Sequence, residues 1–336
     1  MSPRISVVVF TARPGGLDVL LTGLTHQEFD SHDFEVILVD ALYHHRHELV
    51  CDEFATAKIS VVHTPPRVRA FPYDSIAAAC NTAIVKACGV MTVWFVDYTA
   101  ISKMCLREHW GVYEHMNDPE HVVMAMGAHR YLFPPATAYE LPDYAPYRMF
   151  NGQKASAQVT YLYDTNASRQ YTTALADGFY TPYMFSIFET PITSFEQIDA
   201  LPDDQLWYNA DPKLTRHQVG ESLPAYMMHL KNDSIPREKL LACNGLDETY
   251  TSHTYMDSEL GYRLQELNVR WMMLDPAAWV SLVNVRHIFP HLLWRGSPEE
   301  NIAKFKEVEA NPGQYVVAQN GYSLNEARQM GPFWYQ

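Results

Sequence analysis

Short apolar runs that end at a polar residue recur through the first hundred residues, and they constrain the fold of this chain more than any other feature. Ile5–Phe10, Phe34–Val39 and Thr92–Val96 are rich in β-branched and aromatic residues, and an aspartate directly follows each of the last two. Continuous apolar runs of this length are typical of strands that are buried on both faces. These segments therefore predict central strands of a parallel sheet.

Segments of helical composition separate these runs. Residues 15–29 and 74–88 read as helices, and a further apolar run at Ile59–His63 predicts another strand. Strands that alternate with helices predict an α/β fold with a Rossmann-like, doubly wound, mostly parallel sheet flanked by helices. Ligands of such sheets bind beyond the carboxyl ends of the strands. Three polar residues occupy such ends: Thr11, Asp40 and Asp97.

Composition and charge narrow the classes of function. Lys and Arg number 25 and Asp and Glu number 39, so the formal net charge is −14. A global basic field for nucleic acid is therefore absent, although a local basic groove stays open. The 5 cysteines lack CxxC spacing, which indicates reduced thiols of a cytoplasmic protein rather than a disulfide framework or a zinc site. Since no run of about 20 apolar residues occurs, no transmembrane segment is predicted.

Three sequence blocks, taken in order, resemble the family 2-like GT-A glycosyltransferases. The first joins ISVVVFTARPGG to DFEVILVD, the second is SIAAACNTAIVKACGVMTVWFVD, and the third is NGLDETYTSHTYMDSELGYRL. The resemblance covers residues 5–102 and 236–290. It implies a nucleotide-diphospho-sugar transferase fold and an enzyme that moves a sugar, with inversion, from a nucleoside-diphosphate donor to a hydroxyl, with a UDP-sugar as the favoured donor.

The resemblance also implies a division of the chain into three parts. Residues 1–127 would form the nucleotide-sugar-binding half, 128–222 a variable and elaborated acceptor-side insertion, and 223–336 the catalytic and acceptor half that completes the GT-A domain. The acceptor stays open: a glycan or a small molecule is the default, and a hydroxyl-bearing modified base in DNA is a further option that the charge of −14 disfavours. The oligomeric state is open as well.

The resemblance assigns the role of catalytic base to Asp257. This residue lies where a turn opens a predicted helix, and the positive end of the helix dipole favours a carboxylate there. Inverting transfer needs a base that takes the proton from the acceptor hydroxyl as its oxygen attacks the anomeric carbon. From the residues alone, a helix cap is an equally good interpretation.

An Asp-x-Asp motif in the family holds a divalent cation against the donor diphosphate, and Asp97 matches its first position. Thr99 stands at the second position and is a poor substitute for an anionic ligand, so dependence on Mg²⁺ or Mn²⁺ is an open question. His287 matches a place where related enzymes present a metal-ligating histidine. A lone histidine is more often structural, and that interpretation is kept beside the metal site.

Besides Asp97, five residues are candidates for contacts to the donor. Thr11, Arg13 and Asp40 match the nucleoside pocket of the family, and Asp40 could accept from a uracil N–H or a ribose hydroxyl, or cap a loop. Arg69 could hold the diphosphate bidentately, or be a solvated loop charge. Asn81 matches a central asparagine of the family and could touch the donor or fix a neighbouring loop.

A cluster of histidines and the possible function of the chain each have a further interpretation. His44, His45 and His47 look like metal ligands, but we expect them in a polar loop without a second ligand cluster, which disfavours a metal site. The alternative function is a non-catalytic sugar-nucleotide or glycan-binding module with the same fold. Loss of the second motif acid at Thr99 favours that module, whereas retention of Asp257 opposes it.

Overall fold

The computed structural model describes residues 2–11, 16–40, 43–66, 76–97, 99–116, 122–126, 129–132, 185, 192–200, 220, 222–250, 255–275, 278, 280–283, 298–314 and 323–330. The strands in these ranges are β1 (Ile5–Thr11), β2 (Phe34–Asp40), β3 (Val61–Thr64), β4 (Met91–Val96), β5 (Thr99–Ile101), β6 (Val122–Met126), β7 (His129–Leu132), β8 (Ser222–Leu223), β9 (Asp233–Pro236), β10 (Val269–Met273) and β11 (Val280–Val283).

Helices pack around these strands. They are α1 (Leu17–Thr25), α2 (Tyr43–Thr56), α3 (Ile76–Lys86), α4 (Cys105–Met116), α5 (Phe195–Asp199), α6 (Arg237–Ala242), α7 (Met256–Glu266), α8 (Pro298–Ala310) and α9 (Leu324–Met330). Two short 3₁₀ turns lie at Ala225–Met227 and Pro312–Gln314.

The predicted mostly parallel sheet is confirmed. The central sheet has the order β3-β2-β1-β4-β9-β6-β10-β8, in which β1 pairs in parallel with β2 and β4, and β2 with β3. A second, three-stranded sheet has the order β5-β11-β7. The parallel strands read as continuous apolar runs because a separate apolar core covers each face of the sheet.

Neighbouring residues of one strand show this division into two cores. Val8 and Trp94 pack into one core, whereas Val7 and Val93 pack into the other. Successive side chains of a strand point to opposite faces, so an apolar run is needed wherever both faces are covered.

Helix α2 corrects the prediction of a polar loop after Asp40. Val50 and Phe54 lie four residues apart on its buried face, and Arg46 occupies the preceding position of that face, where it is 2% exposed. Apolar residues at this spacing would signal an amphipathic helix. A buried arginine replaces one of them, so the helical pattern is concealed.

Strand β9 reverses the direction of the sheet at its centre. It pairs in antiparallel fashion with β4, so that Asp233 lies opposite Trp94, and it also pairs in antiparallel fashion with β6. Because the two strands run in opposite directions, β9 begins where β4 ends. The first residue of β9 is therefore brought to the edge of the sheet at which ligands bind.

Both terminal thirds of the chain contribute strands to the central sheet. Strands β1 to β4 come from residues 1–127, and β9 and β10 come from residues 223–336. Most of residues 128–222 lie outside the described ranges, so the division into three parts stays a prediction. Among the helices of the described ranges, none has the length and apolar character needed to cross a membrane.

Candidate active site

Thr11 and Asp97 meet at the carboxyl edge of the sheet. The Thr11 hydroxyl Oγ1 donates to Asp97 Oδ2 at 2.9 Å. Thr11 ends β1 and Asp97 follows β4, and these strands are parallel neighbours, so their ends must lie side by side. The structure thus brings together two of the residues that strand-end reasoning selected.

Arg46, a residue that the sequence did not single out, joins Asp40 to this pair. Its guanidinium binds the Asp40 carboxylate bidentately, with Nε 2.6 Å from Oδ2 and Nη2 2.9 Å from Oδ1. Nη2 also lies 3.4 Å from Thr11 Oγ1. Burial alone would raise the pKa of Asp40, but the Arg46 charge and the hydrogen bonds from His63 and Arg46 lower it below its ordinary value.

Asp40 is placed differently from what a direct nucleotide contact requires. Its side chain is fully buried and bonds to Arg46 and to His63 Nε2, the latter at 2.9 Å. The carboxylate therefore faces protein donors, and it orients Arg46 towards Thr11. Contact between Asp40 and a nucleotide stays a prediction, and it would require these bonds to be replaced.

Asn81 fixes a loop, which is one of the two roles that the sequence left open. Its amide Nδ2 donates to the Leu246 carbonyl at 2.9 Å and to Glu248 Oε1 at 3.0 Å, and its Oδ1 accepts from the Leu246 N–H at 2.9 Å. Asn81 is fully buried and its amide bonds to protein groups, and a contact between Asn81 and the donor stays a prediction.

Asp257 lies in the first turn of α7 and is partly buried. Its Oδ1 accepts from the Ser258 N–H at 2.9 Å. Loss of hydration raises its pKa to about 6, and the Ser258 amide and the Lys231 charge oppose this rise. A carboxylate with this pKa binds a proton more tightly than an ordinary aspartate does and is still ionised at neutral pH, which are the properties of a general base.

Asp233 is a second acid with a raised pKa, and sequence reasoning missed it. Its Oδ2 accepts from the backbone N–H groups of His229 and Leu230 at 2.9 and 2.8 Å. Its Oδ1 is buried without a hydrogen-bond partner among the described residues. Burial raises its pKa to about 7, and the Asp257 charge adds to the rise. Only the antiparallel placement of β9 reveals this residue.

A buried ion pair and a close helix contact hold α7 in place. Arg263 Nη2 donates to Glu259 Oε2 at 2.8 Å and to the Gly245 carbonyl at 2.7 Å. A Cβ at Gly261 would lie 2.3 Å from the carbonyl oxygen of Ala225, so the helix rests directly on the 3₁₀ turn. These contacts position the first turn of α7 and with it the side chain of Asp257.

Comparison with solved structures identifies the fold. No family model and no curated protein matches the chain. The chain is similar to the crystal structure of S. aureus TarS 1-349 in complex with UDP-GlcNAc, with a TM-score of 0.50 and 13% identity over 91% of this chain and 64% of that one. This chain thus spans just under two thirds of that structure's length. The chain has a GT-A glycosyltransferase fold.

The chain is also similar to the structure of the mannosyltransferase PcManGT from Pyrobaculum calidifontis in complex with GDP-Man and Mn²⁺. That alignment has a TM-score of 0.46 and 13% identity, and it covers 92% of this chain and 70% of that one.

The second position of the Asp-x-Asp motif does not supply a metal ligand in this GT-A fold. Thr99 is fully buried, and its hydroxyl donates to the Val96 carbonyl at 2.5 Å. The motif therefore offers one carboxylate, that of Asp97, and the described residues do not fit a two-acid cation site. Arg13, Arg69 and His287 lie outside the described ranges, and their roles stay predictions.

A separate group of potential ligands lies behind Asp40 and corrects a second prediction. His47 was expected to lack partners with ligand spacing, but Cys51 and His63 lie beside it, and the ligand atoms of the three residues are all within 4.8 Å of one another. The sequence concealed this group because His63 comes from β3, whereas the other two residues share α2.

Proposed function

We propose that this chain is an inverting glycosyltransferase that moves a sugar from a nucleoside-diphosphate donor to a hydroxyl acceptor. The observation that supports it most is the partly buried carboxylate of Asp257, with a pKa of about 6, at the start of a helix in a GT-A fold. TarS was solved with UDP-GlcNAc, which makes a UDP-sugar the first donor to test.

The donor would lie at the carboxyl ends of β1 and β4, beside the bonded pair of Thr11 and Asp97. Arg46 lies directly behind this pair, and its charge is balanced there by the Asp40 carboxylate. Arg13 and Arg69 are the candidates for phosphate contacts that the resemblance implies.

Asp257 would act on the acceptor. As the acceptor oxygen attacks the anomeric carbon, its proton passes to the Asp257 carboxylate, a glycosidic C–O bond forms, and the bond from the anomeric carbon to the phosphate oxygen breaks. The nucleoside diphosphate leaves with the bonding electrons. The described part of the Asp-x-Asp motif supplies one carboxylate, so this step assigns no role to a divalent cation.

Tyr226 is the best candidate for an acceptor contact. It is 46% exposed, and its carbonyl accepts from the Ser258 hydroxyl at 2.9 Å, next to Asp257 in sequence. An exposed aromatic ring offers a large apolar face on which a sugar can stack. This placement makes a glycan the first acceptor to test.

A turnover assay with matched variants tests the proposal. The full chain is incubated with UDP-GlcNAc, UDP-glucose or GDP-mannose, with and without Mn²⁺, and release of the nucleoside diphosphate is measured. We expect Asp257→Asn to reduce turnover by roughly 10²–10⁴-fold, the usual contribution of a general base. Glu266→Gln, an exposed change at the other end of α7, should leave turnover unchanged. Wild-type turnover in Asp257→Asn would refute the assignment.

A non-catalytic sugar-nucleotide-binding module is the second candidate, and the buried hydroxyl of Thr99 favours it. The two candidates differ in one measurable respect. Isothermal titration with the same three nucleotide sugars would show binding in both cases, but a module would release no nucleoside diphosphate with or without Mn²⁺. Binding without release of a nucleoside diphosphate would favour the binding module over the enzyme.

A further inference from the structure

We propose that His47, Cys51 and His63 bind a zinc ion, at a site separate from the candidate active site. The proposal does not depend on the proposed function, because a zinc site here would be compatible with an enzyme and with a binding module alike.

The spacing of the three side chains suits tetrahedral zinc. His47 Nδ1 lies 3.2 Å from His63 Nδ1 and 3.7 Å from Cys51 Sγ. Zinc holds nitrogen at about 2.0–2.1 Å and thiolate sulfur at about 2.3 Å, so a tetrahedral site separates two nitrogens by roughly 3.3 Å and nitrogen from sulfur by roughly 3.6 Å. Two of the three separations therefore already match those that a bound ion would impose, and the third, between Cys51 Sγ and the nearest ligand nitrogen of His63, is within 4.8 Å.

Backbone geometry brings the three ligands together without strain in α2. His47 and Cys51 are four residues apart in this helix, which places them on one face. His63 projects from the neighbouring strand β3, and its ring stacks on that of His47 with centroids 5.2 Å apart. Two ligands from a helix and one from an adjacent strand form a site that the folded core holds in position.

Asp40 orients His63 as a metal ligand. His63 Nε2 lies 2.9 Å from Asp40 Oδ2, so this nitrogen carries the proton that the hydrogen bond needs. The lone pair of the neutral ring is then on Nδ1, the atom that faces His47. Metal-bound histidines usually donate their other ring N–H to a carboxylate, which fixes the tautomer and the ring orientation.

The chemistry of the ligands favours zinc over the cations that bind oxygen. Two imidazoles and one thiolate are preferred by zinc, whereas Mg²⁺ and Mn²⁺ prefer oxygen ligands. The Cys51 thiol would lose its proton to solvent as the Zn–S bond forms. Since His47 and Cys51 are only partly buried, water can complete the tetrahedron. The Tyr43 ring lies against His47 and His63, at centroid distances of 4.4 and 5.0 Å, and shields the site on one side.

Hydrogen bonds connect the site to the edge of the sheet. His63 bonds to Asp40, Asp40 to Arg46, and Arg46 to Thr11, which in turn bonds to Asp97. A zinc ion would therefore brace α2 against β3 and hold Asp40 and Arg46 in the arrangement that supports the candidate donor site.

Cobalt titration of the full chain tests the site. Protein treated with EDTA is titrated with CoCl₂, and we expect a 1:1 complex with a thiolate-to-cobalt charge-transfer band and the strong visible bands of tetrahedral cobalt, both lost when ZnCl₂ is added. Cys51→Ser should abolish the charge-transfer band and weaken zinc binding by on the order of 100-fold or more, and His47→Gln should weaken it similarly. The exposed control changes Cys88→Ser and His44→Gln should leave the spectrum unchanged.

Alkylation provides a second measurement that needs no variant. One equivalent of ZnCl₂ should slow iodoacetamide modification of Cys51, mapped by mass spectrometry, and leave modification of Cys88 unaffected. A cobalt complex without a thiolate band in the wild-type protein, an unaltered band in Cys51→Ser, or equal alkylation of Cys51 with and without zinc would overturn the proposal.

Discussion

The negative charge of Asp257 raises the pKa of Asp233, so the two carboxyl groups interact although they lie on different elements. Burial raises both pKa values, to about 7 for Asp233 and about 6 for Asp257. Because Asp233 has the higher value, it is protonated while Asp257 titrates. Between these two pKa values the pair carries about one negative charge, and that charge lies on the candidate base.

Turnover should depend on the ionisation of Asp257. We expect activity to fall as the pH is lowered through about 6, because the base becomes protonated. Asp233→Asn should keep this limb of the profile in place, since Asp233 is already neutral in that range. The measurement is kcat/KM for a nucleotide sugar between pH 5 and 9. A profile without an acid limb near 6, or one that Asp233→Asn moves by a full pH unit, would contradict the assignment.

Stability should fall as the pH rises through the pKa of Asp233. An acid whose pKa is higher in the folded state destabilises the fold progressively as the pH rises from its unfolded pKa of 3.8 to its folded pKa of about 7, and the loss is complete above that value. A rise from 3.8 to about 7 corresponds to roughly 4 kcal/mol at high pH. Asp233→Asn should therefore stabilise the protein clearly more at pH 8.5 than at pH 5 in urea unfolding, because most of the wild-type loss occurs between these two values. The exposed change Asp30→Asn should show no such difference.

Gly261 is required for the packing of α7 on the 3₁₀ turn. Gly261→Ala would place a Cβ 2.3 Å from the Ala225 carbonyl oxygen, and we expect a loss of about 1–3 kcal/mol from overpacking. Gly111→Ala in α4 is the matched control, because a Cβ there meets nothing within 4 Å and should stabilise the helix by up to about 1 kcal/mol. Thermal unfolding measures both changes, and effects of the same sign would contradict the structure.

Loss of Arg46 should leave an uncompensated charge in the core. Arg46→Met removes the bidentate partner of a fully buried Asp40, and we expect a loss of about 3–5 kcal/mol. Asp40→Asn combined with Arg46→Met should restore part of this stability, because the unpaired negative charge of Asp40 is then absent from the core. Arg107→Met is the control: its pair with Glu28 is exposed and contributes at most about 1 kcal/mol. Equal losses of stability in Arg46→Met and Arg107→Met, measured by urea unfolding, would contradict this prediction.

The strands of the first half could be read from the sequence because each is covered on both faces. Val7 and Val8 show why: they enter different cores, so the whole run had to be apolar. The position of Thr11 and Asp97 at strand ends also followed from sequence, whereas the hydrogen bond between them did not. These inferences needed only local pattern and the geometry of a parallel sheet.

The features that the sequence could not predict depend on contacts between residues that are distant in the chain. Arg46 occupies an apolar position of α2 because Asp40 pairs with it inside the core, and no local pattern reports that pairing. Asp233 reaches the ligand edge only because β9 runs against β4. His63 joins His47 and Cys51 through the packing of a helix on a strand. In each case a tertiary contact sets the role of the residue.

The reversed strand β9 has a consequence for synthesis of the chain. Before residue 233 has been synthesised, strand β9 does not exist. Strand β4 then has a neighbour on one side only, and the position between β4 and β6 is empty. A nascent intermediate would thus present an open, apolar strand edge, the kind of surface that recruits chaperones or pairs with other chains. The sheet can be completed only after this late segment has emerged and inserted, so its two halves should become native together.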